Sequence, residues 1–212
     1  MMNKSISTQA LKRLPIYLTY LKSLPANDYY NISATMIAEA LRLNDVQVRK
    51  DLALISTGGR PKVGYITKSL ITDLEKFLGS HNAQNAVIAG AGNLGSCLLS
   101  YNGFIKYGLD VVAAFDTDET LIGTMIGGKK VLSIHKLQDL CSRMKVRIGI
   151  IAVPESSAQE ICDLMISGGI MAIWNFAPVH LKVPEHIIVQ NEDMAFSLAE
   201  LSKQLTLKFE SV

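Results

Sequence analysis

The chain has 212 residues, of which 49% are hydrophobic and 19% charged. This composition is ordinary for a protein that buries real cores, and the length suits one small and one medium domain. The net charge of +2 hides an asymmetry. Residues 1–70 carry ten Lys and Arg against four Asp and Glu, whereas residues 71–212 carry eleven against fifteen. A basic first third predicts contact with a polyanion, although a chance imbalance of solvated side chains would give the same counts.

Cysteine usage and hydropathy predict a cytoplasmic protein without membrane contact. Cys97, Cys141 and Cys162 are widely spaced and form no Cys-x-x-Cys pair, which argues against a disulfide framework. The most apolar stretch, residues 148–153, is far shorter than the ~20 residues that cross a bilayer, and the N-terminus has no signal-peptide pattern. Cys97 is expected in a first helical turn as a small buried residue, with an oxidative role left open.

Hydrophobic residues recur at helical spacing in four segments of the first third. These segments are residues 10–24, 33–40, 46–56 and 69–79. Pro15 is expected in the first turn of the first helix, and Ser33 as the N-cap of the second. Asn44 or Asp45 is expected to cap the third helix. Polar residues 81–85 are predicted to form a linker to the rest of the chain.

The second and third predicted helices are joined by only a few residues, which is typical of a helix-turn-helix. The third is expected to anchor itself through Val46, Leu52 and Ile55. Its outer face is expected to present Gln47, Arg49 and Lys50. Gln can read adenine, Arg can read guanine, and Lys can hold a phosphate or guanine. These residue types favour DNA recognition over the alternative of an ordinary solvated helix face.

The segment that follows, residues 58–67, has the pattern of a basic wing. Two short extended pieces flank a Gly- and Pro-rich turn that carries Arg60 and Lys62, both placed to reach an adjacent minor groove. Tyr65 lies in the second extended piece and is predicted to contact DNA with them. The first third is therefore predicted to be a winged helix-turn-helix domain.

From Asn85 onwards, β-branched runs alternate with helical stretches, which predicts a parallel sheet covered by helices on both faces. The predicted strands are residues 85–90, 111–116, 146–154, 171–176 and 186–189. A last amphipathic helix is predicted to begin at Asp193. Its apolar residues are Met194, Leu198, Leu201 and Leu205.

A glycine-rich motif follows the first of these strands and opens a helical pattern. It reads Gly90-Ala91-Gly92-Asn93-Leu94-Gly95, and Asp116 ends the next strand about 20 residues later. Gly90 permits a tight turn, Gly92 lets the backbone approach a pyrophosphate, and Gly95 lets helix and strand pack closely. Asp116 is expected to bind the adenosine ribose and to repel a 2′-phosphate, which favours NAD(H) over NADP(H). A glycine-rich turn used for packing alone is the alternative.

With these motifs in place, the sequence resembles the Rex family of redox-sensing transcriptional repressors over nearly its whole length, from Arg13 to the last helix. The segments that carry the resemblance are residues 47–52, 64–65, 90–95, 115–118, 151–154, 158–159, 175–178 and 183–184. One departure lies after the third helix, where the family usually has an aromatic-Gly pair and a wing rich in Gly and Lys. Here the stretch runs from Ile55 to Lys62 and includes Pro61.

The resemblance implies a homodimeric repressor that binds an AT-rich inverted repeat when NADH is low and is released by NADH. It implies a C-terminal helix that swaps into the partner subunit. The chain is thus expected to divide into residues 1–80 for DNA binding, 81–191 for NAD(H) binding and 192–212 for the swapped helix. Arg13, Tyr101 and Asp193 match positions that link the DNA-binding helix, the nicotinamide pocket and the swapped helix.

An apolar nicotinamide pocket would favour the neutral reduced ring over the cationic oxidised ring, because only the cation loses hydration there. The expected lining residues are Tyr101, Val153, Pro154, Phe176, Ala177 and Pro178. An Arg13–Asp193 ion pair made in one state, with Tyr101 rearranged in the other, is the hypothesis for the switch.

Two other classes of function remain as alternatives: an NAD-dependent oxidoreductase with an N-terminal extension, and a nucleotide-binding corepressor that does not touch DNA. The first is disfavoured because the sequence shows no second substrate domain and no His–Asp or Lys–Tyr constellation for hydride chemistry. The second is disfavoured by the polar face of the third helix. We expect no catalytic residues, and no metal site, because the four histidines show no ligand spacing.

Overall fold

The computed structural model describes residues 6–25, 29–79 and 84–210, and the chain forms two compact units that divide between residues 83 and 84. Most of the predicted 81–85 linker lies outside the described residues, and Gln84 and Asn85 already belong to a strand. No helix within the described ranges is long and apolar enough to cross a membrane.

The described residues of the first unit form four helices and a small two-stranded sheet. Its elements are α1 (Thr8–Ser23), β1 (Asn31–Ile32), α2 (Ala34–Leu41), α3 (Asp45–Ile55), β2 (Tyr65–Ile66) and α4 (Thr67–Phe77). β1 and β2 pair antiparallel and so tie the start of α2 to the base of the wing. The core is an apolar cluster that includes Leu14, Tyr17, Ile37, Leu52 and Leu70. The predicted winged helix-turn-helix is therefore present.

Side-chain caps fix where the first three helices begin. Ser33 accepts a hydrogen bond from the backbone N–H of Met36, as predicted, and Asn44 rather than Asp45 caps α3. The expectation for Pro15 was wrong. Because Ser7 caps α1 and the helix starts at Thr8, Pro15 lies inside α1 and not in its first turn.

The inner face of α3 also differs from the prediction. Val46 is half exposed, whereas Val48, Asp51 and Leu52 are buried. The period-3.6 pattern is intact, but a polar residue occupies one of the inward positions. The apolar residues alone therefore did not identify the buried face.

The second unit is a doubly wound α/β domain. Its elements are β3 (Gln84–Ala89), α5 (Asn93–Ser100), a 3₁₀ helix (Asn102–Tyr107), β4 (Leu109–Asp116), β5 (Met125–Ile126), β6 (Lys129–Ser133), a 3₁₀ turn (Ile134–Lys136), α6 (Leu137–Met144), β7 (Ile148–Ile151), α7 (Glu155–Ser167), β8 (Ala172–Asn175), β9 (Ile188–Asn191) and α8 (Met194–Glu210).

The sheet order is β5-β6-β4-β3-β7-β8-β9, and every pair is parallel except β5 with β6. β5 and β6 were not predicted, because they are short and β6 begins with two lysines. Successive residues of β3 alternate between two cores: Val87 and Ala89 face the cluster under α6 and α7, while Ala86 and Ile88 face the cluster under α5. The predicted Rossmann-type fold is confirmed.

The three cysteines differ in burial, and Cys97 departs from the expectation. Cys141 and Cys162 are buried, and burial raises the pKa of each thiol to about 11. Cys97 is exposed in the second turn of α5, so its prediction as a buried first-turn residue was wrong. The inward-facing residues of α5 are instead Gly95 and Leu99.

The last helix, α8, has no buried residue. The Asp193 carboxylate accepts a hydrogen bond from the backbone N–H of Phe196 at 2.8 Å and so caps the helix. Seven large apolar side chains of α8 are more than half exposed: Met194, Phe196, Leu198, Leu201, Leu205, Leu207 and Phe209. Such a helix gains little stability from the chain to which it belongs.

Candidate nucleotide and DNA-binding sites

The glycine-rich loop has the geometry that its sequence predicts. Gly90 has a φ of +95°, and a Cβ there would meet the carbonyl of Ala152. A Cβ on Gly95 would overlap the Gly90 carbonyl, so α5 can rest on the end of β3 only through a glycine. A Cβ on Gly92 would meet nothing within 4 Å, which leaves space beside the start of α5. The first amides of a helix have no partner within the helix, so those at the start of α5 are available to an anion.

Asp116 ends β4 next to this loop. Its Oδ2 accepts a hydrogen bond from the N–H of Ala91 at 2.6 Å, and its Oδ1 accepts one from the N–H of Asp118 at 2.9 Å. The carboxylate therefore ties the glycine-rich loop to the neighbouring strand. Each oxygen keeps lone-pair capacity for a further donor, such as a ribose hydroxyl.

A cleft of about 210 Å³ opens along the carboxyl ends of these strands. Its lining brings together Gly90, Gly92, Asp116, Thr117, Val153 and Pro154, with Ile134 and Ile161 at its apolar side. This is the edge at which open parallel sheets bind nucleotides. Val153 and Pro154 thus share a cleft with the glycine-rich loop, as expected for residues that contact the same ligand.

The other expected pocket residues lie elsewhere. Tyr101 and Phe176 belong to a row of aromatic rings on the α5 side of the sheet. Ring centroids are 5.0 Å apart from Tyr101 to Phe104, 6.0 Å from Phe104 to Trp174, and 4.5 Å from Trp174 to Phe176. Tyr101, at one end of this row, is 61% exposed. The structure therefore does not bring all the expected lining residues into one cavity.

Ala177 does not line the cleft, because it is 5% exposed and packs in the core, whereas Pro178 is exposed. Their loop is held by Asn175, a fully buried residue that sequence reasoning missed. The Asn175 amide nitrogen donates to the carbonyls of Ala177 and Val179 and to the side-chain oxygen of Asn191, and its oxygen accepts from the N–H of Ala177. The sequence signal that could have identified Asn175 is an amide side chain at the end of an apolar strand.

In the first unit, the wing is a short hairpin. Arg60 and Gly64 form two backbone hydrogen bonds, and the N–H of Val63 donates to the carbonyl of Arg60. Pro61 fits the second position of this turn and Lys62, with a φ of +64°, the third, as in a type II turn. The Pro61 departure from the family pattern is thus compatible with a formed wing.

A cleft of about 510 Å³ lies between the wing, α3 and the start of α2. Three cationic side chains line it: Arg49, Arg60 and Lys62. Tyr65 forms part of its wall but is only 8% exposed, and Gly59 packs against its ring. Its burial indicates that the ring supports the wing, and a DNA contact of Tyr65 stays a prediction that only the part of its side chain lining this cleft could make.

A buried carboxylate joins α1 to α3. Asp51 is 1% exposed and accepts hydrogen bonds from Arg13 at 2.7 and 3.0 Å, from the Tyr17 hydroxyl at 2.8 Å and from the Gln47 amide at 2.9 Å. Burial alone would raise the pKa of Asp51, but hydrogen bonds from Arg13, Gln47 and Tyr17 outweigh burial and leave the pKa lowered. Arg13, expected to pair with Asp193 in one state, here pairs with Asp51.

A winged helix and a dinucleotide-type Rossmann unit in one chain define the class of nucleotide-responsive DNA-binding regulators. One family model, described as a CoA binding domain, matches residues 81–179, and another, described as a putative DNA-binding protein N-terminus, matches residues 5–53. The redox-sensing transcriptional repressor Rex of Treponema denticola is 42% identical over 94% of this chain and 95% of its own length. This chain belongs to the Rex family of redox-sensing transcriptional repressors.

Solved structures agree with this membership. The protein RSP in complex with β-NAD⁺ and operator DNA matches with a TM-score of 0.90 at 34% identity, covering 97% of this chain and 95% of that one. RSP in complex with β-NADH matches with a TM-score of 0.85 at 34% identity, covering 97% of each chain. The resemblance stated from the sequence is confirmed at the level of the family.

Two glycine substitutions should separate ligand contact from packing. Gly92→Ala has open space for its methyl group and should lower the free energy of unfolding by less than about 1 kcal/mol, yet weaken NADH binding roughly tenfold or more. Gly95→Ala should destabilise the fold by about 3 kcal/mol or more, because its Cβ overlaps a backbone carbonyl. Urea unfolding and NADH fluorescence titration measure the two effects. Equal loss of stability in both variants would contradict this assignment.

Asn175→Ala should lower the free energy of unfolding by about 2–3 kcal/mol, because it leaves buried backbone groups of Ala177 and Val179 without partners. Gln190→Ala, at an exposed position of the neighbouring β9, is the matched control and should change stability by less than about 0.5 kcal/mol. Thermal unfolding of the two variants side by side measures the difference, and equal melting temperatures would refute the role of Asn175.

Proposed function

We propose that this chain represses transcription by binding an AT-rich inverted repeat when NADH is low, and that NADH releases it. The observation that carries the proposal is the match over nearly the whole chain to a repressor solved with NAD⁺ and operator DNA together. Both units needed for such a response lie in this one chain. A repressor of this kind works where the bacterial chromosome lies, in the cytoplasm.

The ligand is NAD(H), bound across the carboxyl edge of the second unit's sheet. The amides at the start of α5 hold the pyrophosphate, supported by the open space beside Gly92. Asp116 accepts the ribose hydroxyls with the lone pairs that its two backbone bonds leave free, and its charge disfavours a 2′-phosphate. The residues that bind the dinucleotide are Gly90, Ala91, Gly92, Asn93, Leu94, Gly95, Asp116, Val153 and Pro154, with Tyr101 and the 176–178 loop towards the nicotinamide.

The dinucleotide acts as a ligand and not as a redox reactant. The cleft beside the glycine-rich loop is lined by Asp116, Thr117, Ser157, glycines and apolar residues, and none of these lining residues is a His, Lys, Tyr or Cys that could serve as the general acid of hydride chemistry. The alternative, an NAD-dependent oxidoreductase, predicts steady NADH oxidation with small carbonyl compounds, which an absorbance assay at 340 nm would detect.

DNA is bound by α3 and the wing. Gln47, Arg49 and Lys50 are exposed on α3, and Arg60 and Lys62 are exposed on the wing. Arg49 makes only a surface ion pair with Asp45 at 3.2 Å, which is weak enough to exchange for a phosphate or a base. Cations of both elements border one cleft, so helix and wing can follow the duplex together.

The active form is a homodimer in which α8 is exchanged between subunits. Support comes from the seven large apolar side chains that α8 leaves exposed, since a helix of this length is marginal without packing. In this arrangement Asp193 enters the partner subunit, where it competes with Asp51 for Arg13. Ligand at Tyr101 then biases which carboxylate Arg13 contacts. Such competition is a two-state element of the kind that a switch requires.

Fluorescence anisotropy of a labelled AT-rich palindromic duplex tests the function. The expected result is tight, salt-dependent binding that NADH abolishes at concentrations where NAD⁺, NADPH and coenzyme A have little effect. Gly92→Ala should bind the duplex like the wild type, but its release should need roughly tenfold or more NADH. Duplex binding indifferent to every nucleotide, or release by coenzyme A, would reject the redox sensor. NADH binding without DNA binding at any salt would favour the enzyme.

Asp193→Ala tests the relay in the same assay. The variant should still bind the duplex, but its release should need more NADH than the wild type needs, because Arg13 has lost one of its two carboxylates. Glu210→Ala, near the exposed end of α8, is the control and should respond like the wild type. Unchanged NADH sensitivity of Asp193→Ala would exclude the relay while leaving the repressor function in place.

A further inference from the structure

Gln47 and Asp51 lie one turn apart on α3, but they differ in burial. Gln47 is exposed on the face proposed to meet DNA, whereas Asp51 is buried beneath it. The Gln47 side-chain nitrogen donates to Asp51 Oδ1 at 2.9 Å. The outward-facing amide is therefore anchored from below by a buried group.

Asp51 is itself held firmly. Arg13 donates to both of its oxygens, and the Tyr17 hydroxyl donates to Oδ2. Tyr17 is fully buried, so its position is set by the core of the first unit. The carboxylate consequently has a fixed position and little freedom to follow a moving Gln47.

An ionised carboxylate can only accept hydrogen bonds. The NH₂ end of the Gln47 amide must therefore point towards Asp51, and the amide cannot flip without losing that bond. Adenine presents an acceptor at N7 and a donor at N6 in the major groove, so a glutamine reads it with one N–H and its carbonyl in a fixed order. The amide nitrogen has two hydrogens, and the bond to Asp51 uses one of them.

The geometry points to Asp51 as a specificity-determining residue that orients the Gln47 amide for reading an adenine while making no contact with DNA. This inference rests on the proposed function, because it needs α3 in the major groove. The inference gives Asp51 a second role beside its ion pair with Arg13. The negative charge of Asp51 fixes which end of the Gln47 amide faces the duplex. Asp51 is thus a positioning residue.

Asp51→Asn is the direct test, because its amide can turn either an oxygen or an NH₂ group towards Gln47 and no longer fixes the order. Binding is measured to duplexes that carry each base pair in turn at every position of a half-site. We expect wild-type discrimination of roughly tenfold or more at one A·T pair. In Asp51→Asn the discrimination at that pair should fall to within about threefold. The salt dependence of DNA binding should not change, because the contacts to phosphate are untouched.

Gln47→Ala should lose discrimination at the same base pair, and the Asp51→Asn/Gln47→Ala double variant should be no worse at that pair than Gln47→Ala alone. Asp45→Asn is the matched control, since Asp45 lies on the same helix and pairs only with Arg49 at the surface. It should keep the wild-type pattern of base preference.

A folded Asp51→Asn variant that keeps full discrimination at the pair erased by Gln47→Ala would overturn the inference. A Gln47→Ala variant that erases no base preference would overturn it too, while NADH-dependent release of the wild type shows that the proposed function still stands. Should Asp51→Asn fail to fold, side-chain ¹⁵N relaxation of Gln47 in the wild-type protein decides. A rigid amide supports the inference, and a freely mobile amide overturns it.

Discussion

The contact between α5 and the end of β3 is the constraint on which the nucleotide-binding unit depends. Gly95 lies directly against the Gly90 carbonyl, and the backbone at Gly90 takes a conformation that disfavours any side chain. This contact places the start of α5 over the centre of a seven-stranded sheet. The helix amides, Asp116 and the apolar floor of the cleft are side by side because of it.

Buried polar residues set the functional surfaces of both units. Asp51 holds α1 against α3 beneath the proposed DNA-reading face, and Asn175 holds the 176–178 loop and reaches Asn191, two residues before Asp193. Each makes several hydrogen bonds, as a buried polar group must if it is not to cost stability. In each unit, one element proposed to touch a ligand is thus held by a buried polar residue: Gln47 by Asp51, and the 176–178 loop by Asn175.

The sequence was sufficient for the class of fold and for the geometry of the glycine-rich loop beside Asp116, because this geometry depends on the spacing of the glycines. It was insufficient where a polar residue occupies a buried position. Hydrophobic periodicity ignores Asp51, so Val46 was assigned to the wrong face of α3. The same limit hid Asn175. β6 was missed because its lysines masked a short strand, and the position of Pro15 was missed because the Ser7 cap was not recognised.

The backbone conformation of the wing affects how this hairpin would dock onto DNA. Lys62, a non-glycine residue, holds a left-handed backbone conformation that costs about 1–2 kcal/mol, while Pro61 beside it removes freedom from the unfolded loop. The ordering of the hairpin is thus completed when the domain folds. If the wing enters the minor groove as proposed, a preformed hairpin loses less conformational entropy there than a flexible glycine-rich loop would lose. The wing that departs from the family pattern should therefore favour fast, rigid docking over adaptation to varied groove shapes.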